Sequence, residues 1–174
     1  MTAEEGASLK EQLIEAVRRN NTDLLEQVLG EFGEDATGKA ELINSAKDAL
    51  GNYVLHVGAL YGSYEAVDIL LDQEGVEVDP VNGIEGDTPL HSIVRYSKEE
   101  PEHGRFMMEM LIDAGCDPRI KNKRQQKPLD LVDKREEPEI VNILQGAEYA
   151  AMMGPQEESK DLDDDPNDAP SDSD

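Results

Sequence analysis

The sequence predicts an all-α fold, a helix-turn-helix solenoid of about four repeats, and three observations predict it. Apolar stripes at helical spacing recur in pairs. Glycine and proline fall at fixed places around those stripes. A short string returns at a nearly constant interval: Gly51-Asn52-Tyr53-Val54-Leu55-His56 aligns with Gly86-Asp87-Thr88-Pro89-Leu90-His91 at an offset of 35 residues, and Lys127-Pro128-Leu129-Asp130 aligns with Thr88-Pro89-Leu90-His91 at an offset of 39. Self-similarity at a period of about 20 to 50 residues marks stacked repeats, each unable to bury its apolar face alone.

The elements follow in order. Leu9, Leu13, Ile14 and Val17 form one helical stripe and Leu24, Leu25, Val28 and Leu29 a second. Asn20-Asn21 makes the turn between them, Thr22 is the expected N-cap of the second helix, and Leu42-Ile43 is expected as the apolar edge of the loop that follows. Each of the next three units opens on the repeated string and continues into a second apolar helix: Glu65–Leu71, Met107–Ile112 and Glu139–Leu144. Pro89 and Pro128 sit at helix starts, where a missing N–H is tolerated, and Gly75 and Gly115 follow second helices, where a left-handed residue closes the helix. His56 to Leu70 and Asp130 to Leu144 each span 14 residues, whereas His91 to Leu111 spans 20. The third unit therefore carries six extra residues, placed at 97–104, where Pro101 and Gly104 predict a break between its helices. Gly146–Met153 is expected as a last capping helix. The repeat domain is thus read as 8–154, with units near 9–45, 46–80, 81–120 and 121–146 and a cap at 147–153.

The Thr-Pro-Leu-His string at 88–91 and the period near 33 resemble the ankyrin repeat. Gly115-Cys116-Asp117-Pro118 is similar to that family's Gly-Ala-Asp-Val after the second helix, and Ile140–Leu144 to its I-V-x-x-L-L. The resemblance covers roughly residues 9 to 146. Tyr53-Val54 stands where the family has Thr-Pro, and Asp130 where it has His. What the resemblance implies is a concave binding face made of hairpin tips and inner helices, and a protein that binds another protein.

Composition narrows the function classes. A net charge of −24, from 40 acidic and 16 basic residues, opposes direct binding to nucleic acid or anionic membrane. One cysteine cannot form an internal disulfide, the start carries no apolar leader, and no apolar run approaches the ~20 residues of a membrane span; the expected setting is cytoplasmic or nuclear. From Pro155 to Asp174 the chain has nine acidic residues, one lysine and three prolines. That is a net −8, leaving −16 on residues 1–154. The segment is read as a disordered acidic tail, with Ser171 and Ser173 in a setting that suits an acidophilic kinase.

Nothing in the pattern suggests catalysis. No calcium loop, phosphate loop or nucleophile elbow is present, so no enzyme activity, cofactor or metal is expected. His56 and His91 share one repeat position and are read as turn-tying residues, and Cys116 as buried filler. The family layout would turn Arg18, Arg19, Leu60, Tyr61, Arg95, Tyr96, Lys134 and Arg135 toward the concave face from the inner helices. From the hairpins it would add Ala49, Leu50, Asn52, Ile84, Glu85, Asp87, Lys123, Arg124 and Gln126. These positions hold seven of the 16 basic residues and two acidic ones. The predicted partner-binding set is Arg18, Arg19, Leu50, Leu60, Tyr61, Ile84, Arg95, Tyr96, Lys123, Arg124, Lys134 and Arg135: exposed apolar and aromatic groups beside arginine, the make-up of an interface hot spot. Two partners suit it. One is a helix or loop bearing acidic and apolar side chains. The other is a basic client, such as a ribosomal protein or histone, shielded by the acidic body and tail. A few repeats plus an acidic tail is similar in layout to the fungal ankyrin chaperone of a small-subunit ribosomal protein. The alternative is an accessory subunit of a larger complex with the tail as a regulatory segment, folding back on the basic strip. By itself the chain is expected to be a monomer.

Overall fold

The computed structural model describes residues 6–154. The expected disordered tail, with Ser171 and Ser173, lies outside the described residues. Eight α-helices run in order: α1 Leu9–Arg18, α2 Thr22–Gly30, α3 Ala36–Ser45, α4 Val54–Leu60, α5 Tyr64–Leu71, α6 Pro89–Ser97, α7 Pro101–Asp113 and α8 Pro138–Met153, with a 3-10 turn at Pro128–Leu131. Among the described residues there is no strand, and only a single β-bridge joins Lys47 to Tyr53. The pairs α1/α2, α4/α5, α6/α7 and the 3-10 turn with α8 are the four repeats. Each inner element packs on the next (α1 on α4, α4 on α6, α6 on the 3-10 turn), so one continuous core of Leu13, Leu25, Leu55, Leu70, Leu90, Ile93, Met107, Leu111 and Leu144 threads the stack.

All four inner elements begin the same way. The backbone N–H of the residue before the helix donates to the side chain three positions on: Ser8 to Glu11 Oε1 (3.0 Å), Tyr53 to His56 Nδ1 (3.1 Å), Thr88 to His91 Nδ1 (3.0 Å) and Lys127 to Asp130 Oδ2 (2.9 Å). Each bond satisfies an otherwise orphan amide, and at Ser8 and Thr88 the capping is reciprocal, their hydroxyls accepting from Glu11 N (3.1 Å) and His91 N (3.4 Å). Glu11 and Asp130 therefore do the local job of the histidines. Only an imidazole has a second nitrogen, and His56 Nε2 reaches Asp87 O (2.7 Å) while His91 Nε2 reaches Gln126 O (2.7 Å). Each of these two rings ties its own repeat to the hairpin of the next. Gly75 and Gly115 take the left-handed conformation after α5 and α7, with φ of 85° and 105°, as their positions require.

Five expectations are corrected or narrowed. The loop expected around Leu42-Ile43 is the helix α3, whose Ala40, Leu42 and Ile43 are buried; Asp35 caps it by accepting from Gly38 N (3.0 Å). Asn21, not Thr22, caps α2, its side chain accepting from Leu24 N (3.1 Å). The break expected within 97–104 is present but spans only 98–100: α6 runs to Ser97 and α7 restarts at Pro101 and takes in Gly104, so the extra residues lengthen the two helices. Gly104 allows this, since a Cβ there would lie 2.5 Å from Ser97 Cβ. There is no separate cap at 147–153, because α8 runs unbroken through Gly146. The inner helix of the fourth repeat is reduced to one 3-10 turn.

Candidate protein-binding face

A ladder of short polar side chains positions the hairpins. Asp48, Asn82 and Asn122 open them, and in each the backbone N–H donates to a carbonyl on the far side: Asp48 to Asn52 O, Asn82 to Asp87 O and Asn122 to Gln126 O, all 2.9 Å. The side chains then link hairpin to hairpin. Asn82 Nδ2 donates to Asn52 Oδ1 (2.9 Å), and Asn122 Nδ2 donates to Asp87 Oδ1 (2.9 Å). Asp87 is 1% exposed. Asn52 and Asp87, read from sequence as outward hairpin positions, are therefore buried rungs of this ladder. The signal for it was present as an Asp or Asn at 48, 82 and 122, each two residues ahead of a tip.

Those tips are Leu50, Ile84 and Arg124. Leu50 and Ile84 are 60% and 61% exposed and border one groove, so they form a shared apolar surface rather than standing singly. That groove of about 220 Å³ lies between them and the inner helices, lined by Leu50, Leu60, Ile84, Glu85 and Arg95. The structure thus brings together Leu50, Leu60, Ile84 and Arg95 from the predicted set. Tyr61 is exposed at the end of α4. Tyr96 has a different role: its ring packs on Gly62 and edge-on against His103 at 5.8 Å between centroids, while His103 Nε2 bonds Gly62 O (2.8 Å). It is a wedge between the second and third repeats.

The cations are not equivalent either. Arg95 Nε donates to Asp87 Oδ2 (2.8 Å), with Glu85 3.7 Å away, and its guanidinium is held above its ordinary pKa chiefly by the Asp87 hydrogen bond. Arg18 and Arg19 both pair with Glu15. Lys121, Lys123, Arg124, Lys134 and Arg135 make no ion pair among the described residues; the Lys123 ammonium donates only to Gly83 O. The uncompensated positive charge of the face is gathered in the fourth repeat, and the rest of the expected basic strip is neutralised. In that repeat Arg124 and Lys123 sit at the hairpin tip and Lys134 and Arg135 in the turn before α8, all exposed.

His56 and His91 are buried and held below their ordinary pKa by that burial, and burial pushes the Cys116 thiol up, its Sγ donating to Val78 O (3.2 Å). Among the described residues no cluster of three or more His, Cys, Asp or Glu side chains is arranged to hold a metal ion, and no helix is long and apolar enough to cross a membrane.

Comparison with known proteins agrees with this architecture. A sequence model of the family described as ankyrin repeats (3 copies) matches residues 13–122. An ankyrin repeat-containing protein of Saccharomyces cerevisiae is 54% identical over 147 residues, spanning 84% of this chain and 81% of its own length. The chain belongs to the ankyrin repeat family. Ankyrin repeats are typically non-catalytic and mediate binding to other proteins, and their hairpin tips and inner helices are the surface built here by the polar ladder. The matched span ends at Asn122, where the ladder has its last asparagine; the fourth repeat beyond it has the shortened inner element.

Proposed function

We propose that this ankyrin repeat protein is a non-catalytic interaction module whose concave face takes one segment of a partner protein. The segment lies along the hairpin tips, placing apolar side chains over Leu50, Leu60 and Ile84 and an acidic group against Lys123 and Arg124. The observation that carries this reading is the pair of exposed aliphatic tips at equivalent positions of consecutive hairpins, bordering one groove. Apolar anchors beside a charged rim concentrate binding energy in few residues. A cytoplasmic or nuclear setting is proposed with it, on the lone buried Cys116.

A second reading, a chaperone shielding a basic client such as a ribosomal protein, draws on the net charge of −24. It draws also on a cleft of about 530 Å³ between the third and fourth repeats, where Asp133, Glu136, Glu137 and Glu139 outnumber Lys98 and Arg105. A fixed accessory subunit of a larger complex is the alternative to both.

One affinity capture separates them. The wild-type chain is compared with Leu50→Asp plus Ile84→Asp, whose side chains are exposed and whose thermal midpoint should not change. The double variant is expected to lose at least about tenfold in affinity for the captured partner. Equal capture by both proteins would overturn the concave-face reading. Capture of one highly basic protein, kept soluble by stoichiometric amounts of the chain, supports the chaperone. A constant set of several subunits supports the accessory role.

A further inference from the structure

The end of the repeat stack and its strongest positive patch lie side by side. Residues 119–127 contain Arg119, Lys121, Lys123, Arg124 and Lys127 and no acidic residue, in a chain where acids outnumber bases 40 to 16. Arg119 is paired with Asp117 (3.0 Å) and Lys127 with Glu148 (3.2 Å). Lys121, Lys123 and Arg124 make no ion pair among the described residues.

Two contacts fix where α8 delivers the chain. Arg119 and Gly154 line the same cleft, about 470 Å³, together with Ala147, Ala150 and Ala151. Lys127 reaches Glu148, six residues before Gly154, a rise of about 9 Å along a helix. The segment that follows, 155–174, carries a net −8 and can extend over about 60 Å. The chain therefore leaves the described residues at a cleft that it shares with Arg119, the first cation of that acid-free run, and the run lies well within the reach of the segment.

We propose that residues 155–174 fold back onto the basic run 119–127 and occupy the fourth-repeat end of the concave face. Of the other cations, Arg18 and Arg19 are paired with Glu15, Arg95 with Asp87, Lys98 with Glu137 and Arg105 with Glu139; Lys10, Lys39 and Lys47 lie in the first two repeats, and Lys134 and Arg135, in the turn before α8, add to the charge of the fourth. The contact is intramolecular, so even a weak interaction is favoured by the high effective concentration of a short tether. Competition with a partner for Lys123 and Arg124 rests on the proposed concave-face function; the contact itself does not.

The test uses the full chain carrying Ser173→Cys with a nitroxide label; Cys116 is 4% exposed and is spared. Amide signals of residues 121–127 are expected to broaden at about 0.05 M salt and to recover at about 0.5 M, as screening tightens through the ~10 Å range. Broadening confined to the end of α8 at low salt overturns the proposal. So does broadening that persists after all nine tail acids are changed to Asn or Gln. If the broadening is seen but neutralising the tail leaves partner affinity unchanged, the fold-back stands and the shared-site reading of the concave face fails. If Leu50→Asp plus Ile84→Asp abolishes partner binding while no broadening occurs, the concave-face reading stands and the fold-back fails.

Discussion

At the scale of single residues, the two buried histidines set the chemistry of the stack. Each Nδ1 accepts from a backbone N–H, which leaves Nε2 as the donor to the carbonyl of the next hairpin. That arrangement requires the neutral ring, because a proton on Nδ1 would face an N–H. Burial lowers the pKa of both rings below the ordinary 6.5. The unfolded chain then binds protons that the folded one refuses, so stability is complete above about pH 6.5 and is lost as pH falls below it. Thermal unfolding between pH 8 and pH 5 should show a falling midpoint, and His91→Gln should be less stable at pH 8 by about 2 kcal/mol yet less sensitive to acid. An unchanged pH slope in that variant would remove His91 from this account. The equivalence of His56 and His91 was legible in the sequence, because the string around them repeats. Asp130 also aligned with that position, but that its carboxylate, and that of Glu11, would make the imidazole's bond to the cap was not legible, since a carboxylate and an imidazole share only the reach from the third helical position back to the cap.

At the scale of elements, the third repeat is where the stack departs from regularity. Its six extra residues were countable from the spacing of His91 and Leu111, and the break expected within 97–104 is there, ending at Pro101. That they would lengthen helices depends on Gly104 meeting Ser97 across the α6–α7 contact, a tertiary fact that a local pattern does not carry. A Cβ at position 104 would fall 2.8 Å from Ser97 Cα as well, so the neighbour cannot yield by a rotamer change. Gly104→Ala, although it raises helix propensity, is expected to cost about 1–3 kcal/mol in chemical denaturation; a more stable variant would show that the two helices separate freely. The helix α3 was missed for a related reason. Its apolar positions are few, and it is stabilised by docking on α1 more than by its own pattern.

For the whole molecule, the fold, the pairing of helices and the apolar tips Leu50 and Ile84 were readable in advance. The distribution of charge was not, because ion pairing depends on which carboxylate each arginine meets. Residues 18, 19 and 95 look equivalent to 123 and 124 in a string of letters, and the structure separates them.

The histidine bridges have a further consequence for how the molecule comes apart. They join the second repeat to the third and the third to the fourth, but Glu11 has no second nitrogen to offer the second repeat. That first junction is held instead by the Asn20 side chain, which accepts from Ala66 N (2.9 Å) and donates to Glu65 (2.8 Å), by the Asn44 side chain, which donates to Gly75 O (2.9 Å) and accepts from Glu77 N (2.9 Å), and by apolar contact. In a linear array whose cohesion is a sum of neighbour terms, the weakest joint decides where opening begins. If the histidine bridges dominate that sum, native-state hydrogen exchange should find α1 and α2 exchanging through a lower-energy opening than α4 and α6, so that the array unzips from its amino-terminal end. Uniform protection from α1 to α6 would mean that the histidine bridges add nothing to cohesion. A chain that opens from that end keeps its hairpin tips in place while it does so, and its partner surface outlasts its first repeat.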